Sequence, residues 1–311
     1  MLVLDRGSGA IRHSGISELP DFVSPGTVMV LNDSRVRKAR LVGLSPETGG
    51  RLEVLLLEEL RPAVWKALAE RARRHEGRSF AFPEGLRGTV RQPEEGFCLL
   101  EFSAPLGEDY LERNGHVPLP PYIRRPDSAA DSVRYQTIYA RHLGSAAAPT
   151  AGLHLTRPLL EQLELRGVLL AYVTLHVGPG TFLPIRSETL EEHQMHEEAY
   201  YVPEDCARMV NEALQAGRDV LAVGTTAVRT LESAFKDGEV RSGPGRSALF
   251  IYPGFRFQVV RRLLTNFHTP RSTLLALAAA FAGRQRVLSA YREAVRQKYR
   301  FFSYGDAMLI L

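Results

Sequence analysis

Residues 168–181 read VLLAYVTLHVGPGT, and this stretch decides the fold. Residues 168–176 form a nearly continuous apolar run of the kind found in a strand buried on both faces of a sheet. The run ends at His176 and passes into Gly178-Pro179-Gly180, a tight turn. Just upstream, Gly167 closes a helix that Thr156 could cap, with Pro158 allowed in its first turn. Downstream the alternation continues. Residues 203–216 (PEDCARMVNEALQA) carry acids in a first turn and Gly217 just past the end, both helix signals. A strand at 219–225, a helix through Phe235 and a strand at 248–252 (ALFIY) follow. Helices at 270–282 and 284–299 and a last apolar run at 307–311 complete the pattern. Strand–helix alternation of this kind predicts an α/β body with a largely parallel sheet or barrel.

Residues 51–102 differ. Short apolar runs at 52–57, 64–68, 79–82 and 97–102 are separated by Gly, Pro and charge, which predicts a small antiparallel β module. A strand at 28–32 precedes it and the α/β pattern resumes after it. The module therefore reads as an insertion, with residues 1–45 and 116–311 forming the main domain and 46–115 the inserted one.

Composition narrows the class. The 311 residues are 44% hydrophobic and 24% charged, enough to bury a core and unlike a disordered, collagenous or coiled-coil chain. The longest apolar stretch, residues 274–283, is too short to span a bilayer, and the first residues lack a secretory pattern. Two cysteines, Cys98 and Cys206, give neither a disulfide framework nor a thiolate metal site. A cytoplasmic protein is the default. The net charge is +4, and only four of the 39 cations are lysines. Arginine suits phosphate and base edges, yet codon bias gives the same count, so nucleic acid is permitted as a partner and no more.

Several segments are too polar or too rich in Gly and Pro to be core, yet adjoin apolar strands. Those at 176–181 and 224–226 directly follow predicted strands, so they belong on the carboxyl-end rim where α/β folds bind ligands. The Gly178/Gly180 spacing is not GxGxxG, and no Walker lysine is present. The Thr225 and Thr226 side chains fit a helix cap. Alternatively, the helix N–H groups fit an anion, with Arg229 one turn on. His193 and His196 among four glutamates give a weak zinc pattern. Any single histidine is more often a hydrogen-bonding brace than a base, but His154, His176 and His268 all lie in Gly/Thr/Asn-rich loops, which favours acid–base work. The run at 71–78 (RARRHEGR) fits a solvated face and a phosphate contact equally well.

Ten segments appear together and in one order: NDSRVRKARL, PLPPYI, RYQTIYA, GSAAAPTAGLHLT, VTLHVGPGTFLP, MHEE, VGTTAVRTLES, FIYPGFRF, LLTNFHTPRSTLL and YRFFSYGDAML. In this the chain resembles the S-adenosylmethionine:tRNA ribosyltransferase-isomerase family of queuosine biosynthesis, from residue 31 to the C-terminus. Three departures stand out. Glu197-Glu198-Ala199 replaces the family's Ser-Glu-Trp, and Thr269-Pro270-Arg271 replaces Leu-Pro-Lys. Some two dozen residues that usually precede the family's first segment are missing here, as in a truncated or differently started chain.

The resemblance implies an α/β, barrel-like main domain with an inserted small antiparallel β-barrel. It also implies transfer and isomerisation of the ribosyl group of S-adenosylmethionine onto preQ1 at the wobble position (34) of tRNA. Epoxyqueuosine-tRNA forms, and adenine and methionine are released. S-adenosylmethionine is then a consumed substrate, and neither a further cofactor nor a metal is expected. The partner is preQ1-bearing tRNA, with no membrane and a monomeric chain. The reaction needs a base near the sulfonium-acidified ribose carbon 5′, a donor for the departing adenine, a hold on the methionyl end, and an aromatic face for the splayed base. The candidates for catalysis are His154, His176, Asp33 and Arg35. Those for substrate binding are Gly152, Gly178, Gly180, Thr181, Phe182, Thr225, Thr226, Arg229, Asn266, His268, Tyr122 and Tyr304, and those for tRNA are Arg71, Arg73 and Arg74. Two other classes stay in view. A non-catalytic RNA-binding protein needs no loop histidines, and a conventional methyltransferase needs a glycine-rich loop with a downstream acid.

Overall fold

The structure, a computed structural model, describes residues 1–94, 96–120, 122–178, 185, 187, 189–193 and 195–311. Gly180, Thr181 and Phe182 lie outside the described residues. The chain divides into two compact units. The first comprises Met1–Arg35, Gln136–Leu143 and Ala148–Leu311, and the second Val36–Tyr135 with Gly144–Ala147. Two short strands, β4 (Ser34–Val36) and β11 (His142–Ser145), lie where the chain passes from one unit to the other.

In the first unit the strands are β1 (Leu2–Leu4), β2 (Ile11–His13), β3 (Val28–Asn32), β12 (Leu169–Leu175), β13 (Glu198–Val202), β14 (Val220–Val223), β17 (Gly243–Ser247), β18 (Arg262–Asn266) and β19 (Ala307–Ile310). They form one nine-stranded sheet in the order β17-β13-β12-β3-β14-β18-β19-β1-β2. A small separate ladder joins β15 (Phe235–Lys236) to β16 (Glu239–Val240). The centre, β12-β3-β14-β18, is parallel throughout. Parallel strands are covered on both faces, which is why every residue of β3 and β14 is buried. Side chains alternate between the faces. Val28 and Val30 of β3 enter one core with Val210, Val228, Leu277 and Val287. Those four residues lie on α4 (Glu204–Gln215), α5 (Thr225–Ala234), α6 (Thr273–Ala282) and α7 (Arg284–Arg296). Met29 and Leu31 enter the opposite core with Leu160 and Leu163 of α3 (Arg157–Leu165).

The second unit is a closed barrel of six strands, ordered β10-β7-β6-β5-β8-β9, with antiparallel pairing throughout among the described residues. The strands are β5 (Arg40–Leu44), β6 (Arg51–Arg61), β7 (Val64–Ala69), β8 (Ser79–Ala81), β9 (Arg87–Glu94) and β10 (Phe97–Phe102), followed by α1 (Glu108–Asn114) and α2 (Ala129–Arg134). Leu52, Val54 and Leu56 of β6 and Trp65, Ala67 and Ala69 of β7 alternate into its core, where Phe82 meets Phe102 edge-on at 5.4 Å. This unit is wider than the 46–115 read from sequence. On its N-terminal side the reason is β5, whose Leu41 is fully buried and which pairs with both β6 and β8 to close the barrel.

One strand assignment is corrected. Residues 248–252 form no strand, and the ladder partner of β13 is β17, immediately before them. The polar backbone at the start of this apolar run is satisfied by side chains instead. Leu249 N–H donates to Ser247 Oγ, and the Leu249 carbonyl accepts from Arg229. β13 and β18 are strands that the alternation argument did not anticipate. Each unit buries one cysteine. Cys98 in β10 and Cys206 in α4 are 2% and 1% exposed, and burial pushes their thiols up to about 11 and about 12.

Candidate active site

The chain leaving the carboxyl ends of β12, β3, β14 and β18 lines one rim of the first unit. At β3 the ladder is extended by a side chain. Asn32 Nδ2 donates to the Leu175 carbonyl at 3.0 Å, while Asn32 Oδ1 accepts from the Leu175 N–H at 3.0 Å and the Ser34 N–H at 3.1 Å. The carboxamide thus stands in for a peptide unit and fixes where β12 delivers His176. The His176 N–H donates to the Ala199 carbonyl at 3.0 Å, and its side chain is half-buried. Asp33 is 4% exposed; its Oδ1 accepts from the Thr174 hydroxyl at 2.7 Å, and its Oδ2 lies 3.6 Å from His142 Nε2. Arg35 is exposed.

Beyond β14, Gly224 is the N-cap of α5 with φ 87°, a conformation that suits glycine, and a Cβ there would lie 3.6 Å from that of Ala151. The N-cap glycine offers no side-chain cap to α5, so the helix's first N–H groups keep their partial positive charge. Thr225 and Thr226 are buried in that first turn, and Thr226 Oγ1 has no hydrogen-bond partner among the described residues. Next to Ala151, a Cβ on Gly152 would sit 2.0 Å from the Tyr139 hydroxyl and 2.8 Å from a Thr137 methyl. The hydroxyls of Tyr139 and Thr137 are buried and, among the described residues, unpartnered as well. A buried hydroxyl left unpaired costs about 1–3 kcal/mol, so three of them around side-chain-less glycines suit a polar ligand.

At β18, Asn266 is 2% exposed and holds four groups. Its Oδ1 accepts from Thr150 Oγ1 at 3.2 Å, and its Nδ2 lies 3.1 Å from His154 Nε2, 3.3 Å from the Phe302 carbonyl and 3.4 Å from that of Ser303. One amide therefore latches both ends of the short 3-10 turn Thr150–His154. Burial lowers the His154 pKa, so the ring is neutral at pH 7. His268 is neutral for the same reason, pushed to about 4 by burial, with Nε2 on the Thr265 hydroxyl at 2.8 Å. Tyr304 is 38% exposed in the loop preceding β19.

Not every expected residue faces the rim with a free group. The three guanidinium nitrogens of Arg229 all reach protein acceptors: Glu198 Oε2, the Leu249 carbonyl at 3.1 Å and the Ser247 carbonyl at 3.3 Å. Arg229 is 4% exposed and Glu198 5% exposed. Glu198 Oε1 in turn accepts from the Gly178 N–H at 2.7 Å. The pair ties α5 to the chain leaving β12, and Glu198 is a site-shaping residue that the loop-by-loop reading missed. Thr137, Tyr139 and Thr150 were missed too, although all three lie inside RYQTIYA and GSAAAPTAGLHLT, two of the segments that carry the resemblance. Among the described residues no three His, Cys, Asp or Glu side chains group as metal ligands, and the His193 ring packs edge-on against Phe250 at 5.0 Å.

In the second unit Tyr122 is half-buried. Arg71, Arg73 and Arg74 are exposed around the short 3-10 turn Ala72–His75, which Ala72 and the His75–Phe80 contact at 5.3 Å anchor to the barrel. Among the described residues no helix is long and apolar enough to cross a membrane.

A family model described as a queuosine biosynthesis protein matches residues 1–310. A relative from Anaeromyxobacter dehalogenans (strain 2CP-C), named S-adenosylmethionine:tRNA ribosyltransferase-isomerase, is 52% identical over 318 residues, covering 100% of this chain and 92% of that protein. A relative of the same name from Treponema denticola is 43% identical over 321 residues, with the same coverage. The crystal structure of S-adenosylmethionine tRNA ribosyltransferase from Thermotoga maritima is similar at TM-score 0.55 and 36% identity, covering 100% of this chain and 91% of that one. With all but its last residue matched by the family model and relatives this similar along its whole length, the chain belongs to the queuosine biosynthesis protein family.

Proposed function

We propose that this chain is an S-adenosylmethionine:tRNA ribosyltransferase-isomerase. It moves and rearranges the ribosyl group of S-adenosylmethionine onto preQ1 at the wobble position of tRNA, yielding epoxyqueuosine and releasing adenine and methionine. The observation that carries the reading is the rim. Three histidines, an uncapped helix N-terminus and three buried hydroxyls without a partner among the described residues are distributed along the carboxyl ends of four adjacent parallel strands. At the usual strand spacing this rim spans about 14 Å, room for a nucleoside carrying an amino-acid arm. The methionyl carboxylate suits the α5 N-terminus beside Thr225 and Thr226. Gly152 makes room for the buried Tyr139 hydroxyl, Glu198 holds the Gly178 N–H at the rim, and His268 and Tyr304 border the nucleoside side. The sulfonium makes the ribose carbon 5′ hydrogens acidic, and His176 or Asp33 takes one of them. Every rim residue named comes from one copy of the chain, so the reading needs no second subunit. No metal enters the reaction, and a tRNA substrate places the work in the cytoplasm.

The test is one incubation of the protein with preQ1-tRNA and S-adenosylmethionine in the presence of a chelator, followed by mass spectrometry of the digested nucleosides and the free bases. Adenine release matched by ribosyl addition to preQ1 is the expected result. Methyl transfer would make the protein a methyltransferase, and tRNA binding without product would make it a binding protein.

We read the exposed arginines of the barrel as phosphate contacts. Replacing Arg71, Arg73 and Arg74 together with alanine is expected to weaken tRNA binding and to lower the slope of log affinity against log salt by about 3, close to one per lost contact. Equal affinities of variant and wild type at two salt concentrations would make the run a solvated face.

A further inference from the structure

Asn266 was expected to touch substrate, but the protein already occupies its amide. Its orientation is fixed by its surroundings. Turned the other way, its oxygen would face the Phe302 and Ser303 carbonyls, and its nitrogen would replace the acceptor of the Thr150 hydroxyl. The nitrogen therefore faces His154, and an amide nitrogen only donates. His154 Nε2 must accept that bond at 3.1 Å, which leaves the proton of a neutral ring on Nδ1.

We propose that Asn266 is a positioning residue that locks His154 as its Nδ1–H tautomer, so that His154 meets the adenosyl group of the substrate as a neutral hydrogen-bond donor. This rests on the activity proposed above and assigns a role within it. When adenine departs, the bond from ribose carbon 1′ to the purine nitrogen breaks and its electron pair goes to the purine. The Nδ1–H stabilises the developing charge while remaining on the imidazole. The proton that finally neutralises adenine is the one removed from carbon 5′ by the base. His154 is then not that base, because its only lone pair is engaged by Asn266. A fixed donor aimed at developing charge acts as an oxyanion-hole donor does, without reorganising during the reaction.

The test uses the intact protein labelled with ¹⁵N-histidine. A long-range ¹H–¹⁵N correlation spectrum at pH 7 separates the two tautomers, and the signal that disappears in His154→Gln identifies the residue. Wild type is expected to show His154 neutral with the proton on Nδ1. An Nε2–H form, or an even mixture, would overturn the proposal without touching the ribosyl-transfer activity, which is measured separately. Asn266→Asp offers only an acceptor, so the proton is expected to move to Nε2. Adenine release should then fall by about 10²-fold while S-adenosylmethionine affinity stays within about threefold. A folded Asn266→Asp protein with the tautomer reversed and adenine release unchanged would remove the donor role. If that variant does not fold, the wild-type spectrum still decides the tautomer.

Discussion

His176→Ala is expected to lower single-turnover adenine release by roughly 10²–10⁴-fold, the usual cost of losing a general base. The expectation follows from eliminating the other rim imidazoles. His268 is held neutral by burial, with Nε2 on the Thr265 hydroxyl, and the Nε2 of His154 is engaged by Asn266. His176 sits at the end of β12, where the Asn32 carboxamide and the Ala199 carbonyl fix the backbone on either side of it. The substitution removes a half-buried ring and leaves those backbone bonds in place. The thermal midpoint and tRNA affinity should therefore stay near wild type. Normal adenine release from a well-folded variant would move the base to Asp33, whose carboxylate is buried beside Thr174. Asp33→Asn is the variant to compare in that event.

The largest expected effect on stability comes from Arg229→Met. The Arg229–Glu198 pair is almost fully buried, and removing only the cation strands a carboxylate in a low-dielectric interior. Breaking one side of such a pair costs about 3–5 kcal/mol, and for a chain of this size that lowers Tm by on the order of 10 °C. Glu198→Gln added to Arg229→Met should recover part of the loss, because the stranded charge is gone while the amide can still accept the Gly178 N–H. Thermal scans of the two single variants and the double variant measure the coupling directly. A single Arg229→Met variant that melts within a degree or two of wild type would show that the pair does not hold the rim.

The strands and helices legible in the sequence are those that carry their own continuous apolar run or their own terminal signals, wherever their partners lie. β12, β14 and α3 to α7 announce themselves through apolar runs and terminal glycines such as Gly167 and Gly217. β13 and β18 do not, since EAYYV and RLLTN are short and interrupted by polar residues, and only their pairing into the sheet shows them as strands. Residues 248–252 illustrate the converse. They are apolar enough for a strand, but the backbone near Leu249 bonds to the side chains of Arg229 and Ser247. The site follows the same logic. His154, His176 and Asn266 could be placed on a rim because each lies in a polar loop beside an apolar strand or just before a helix. The engagement of Arg229 could not be read, because its partner Glu198 is 31 residues away on an antiparallel strand. Nothing in the spacing of either residue marks the other.

The two buried cysteines divide the molecule in a useful way, since one belongs to the barrel and the other to the α/β unit. A thiol this buried and this weakly acidic reacts with a disulfide reagent only when the structure around it opens. Labelling rates at Cys98 and Cys206 therefore act as two separate clocks for the opening of the two units, readable in the unmodified protein. Bound tRNA or S-adenosylmethionine slows whichever clock belongs to the unit that grips it. The sequence thus carries an internal reporter of where each substrate binds, and no cysteine has to be introduced.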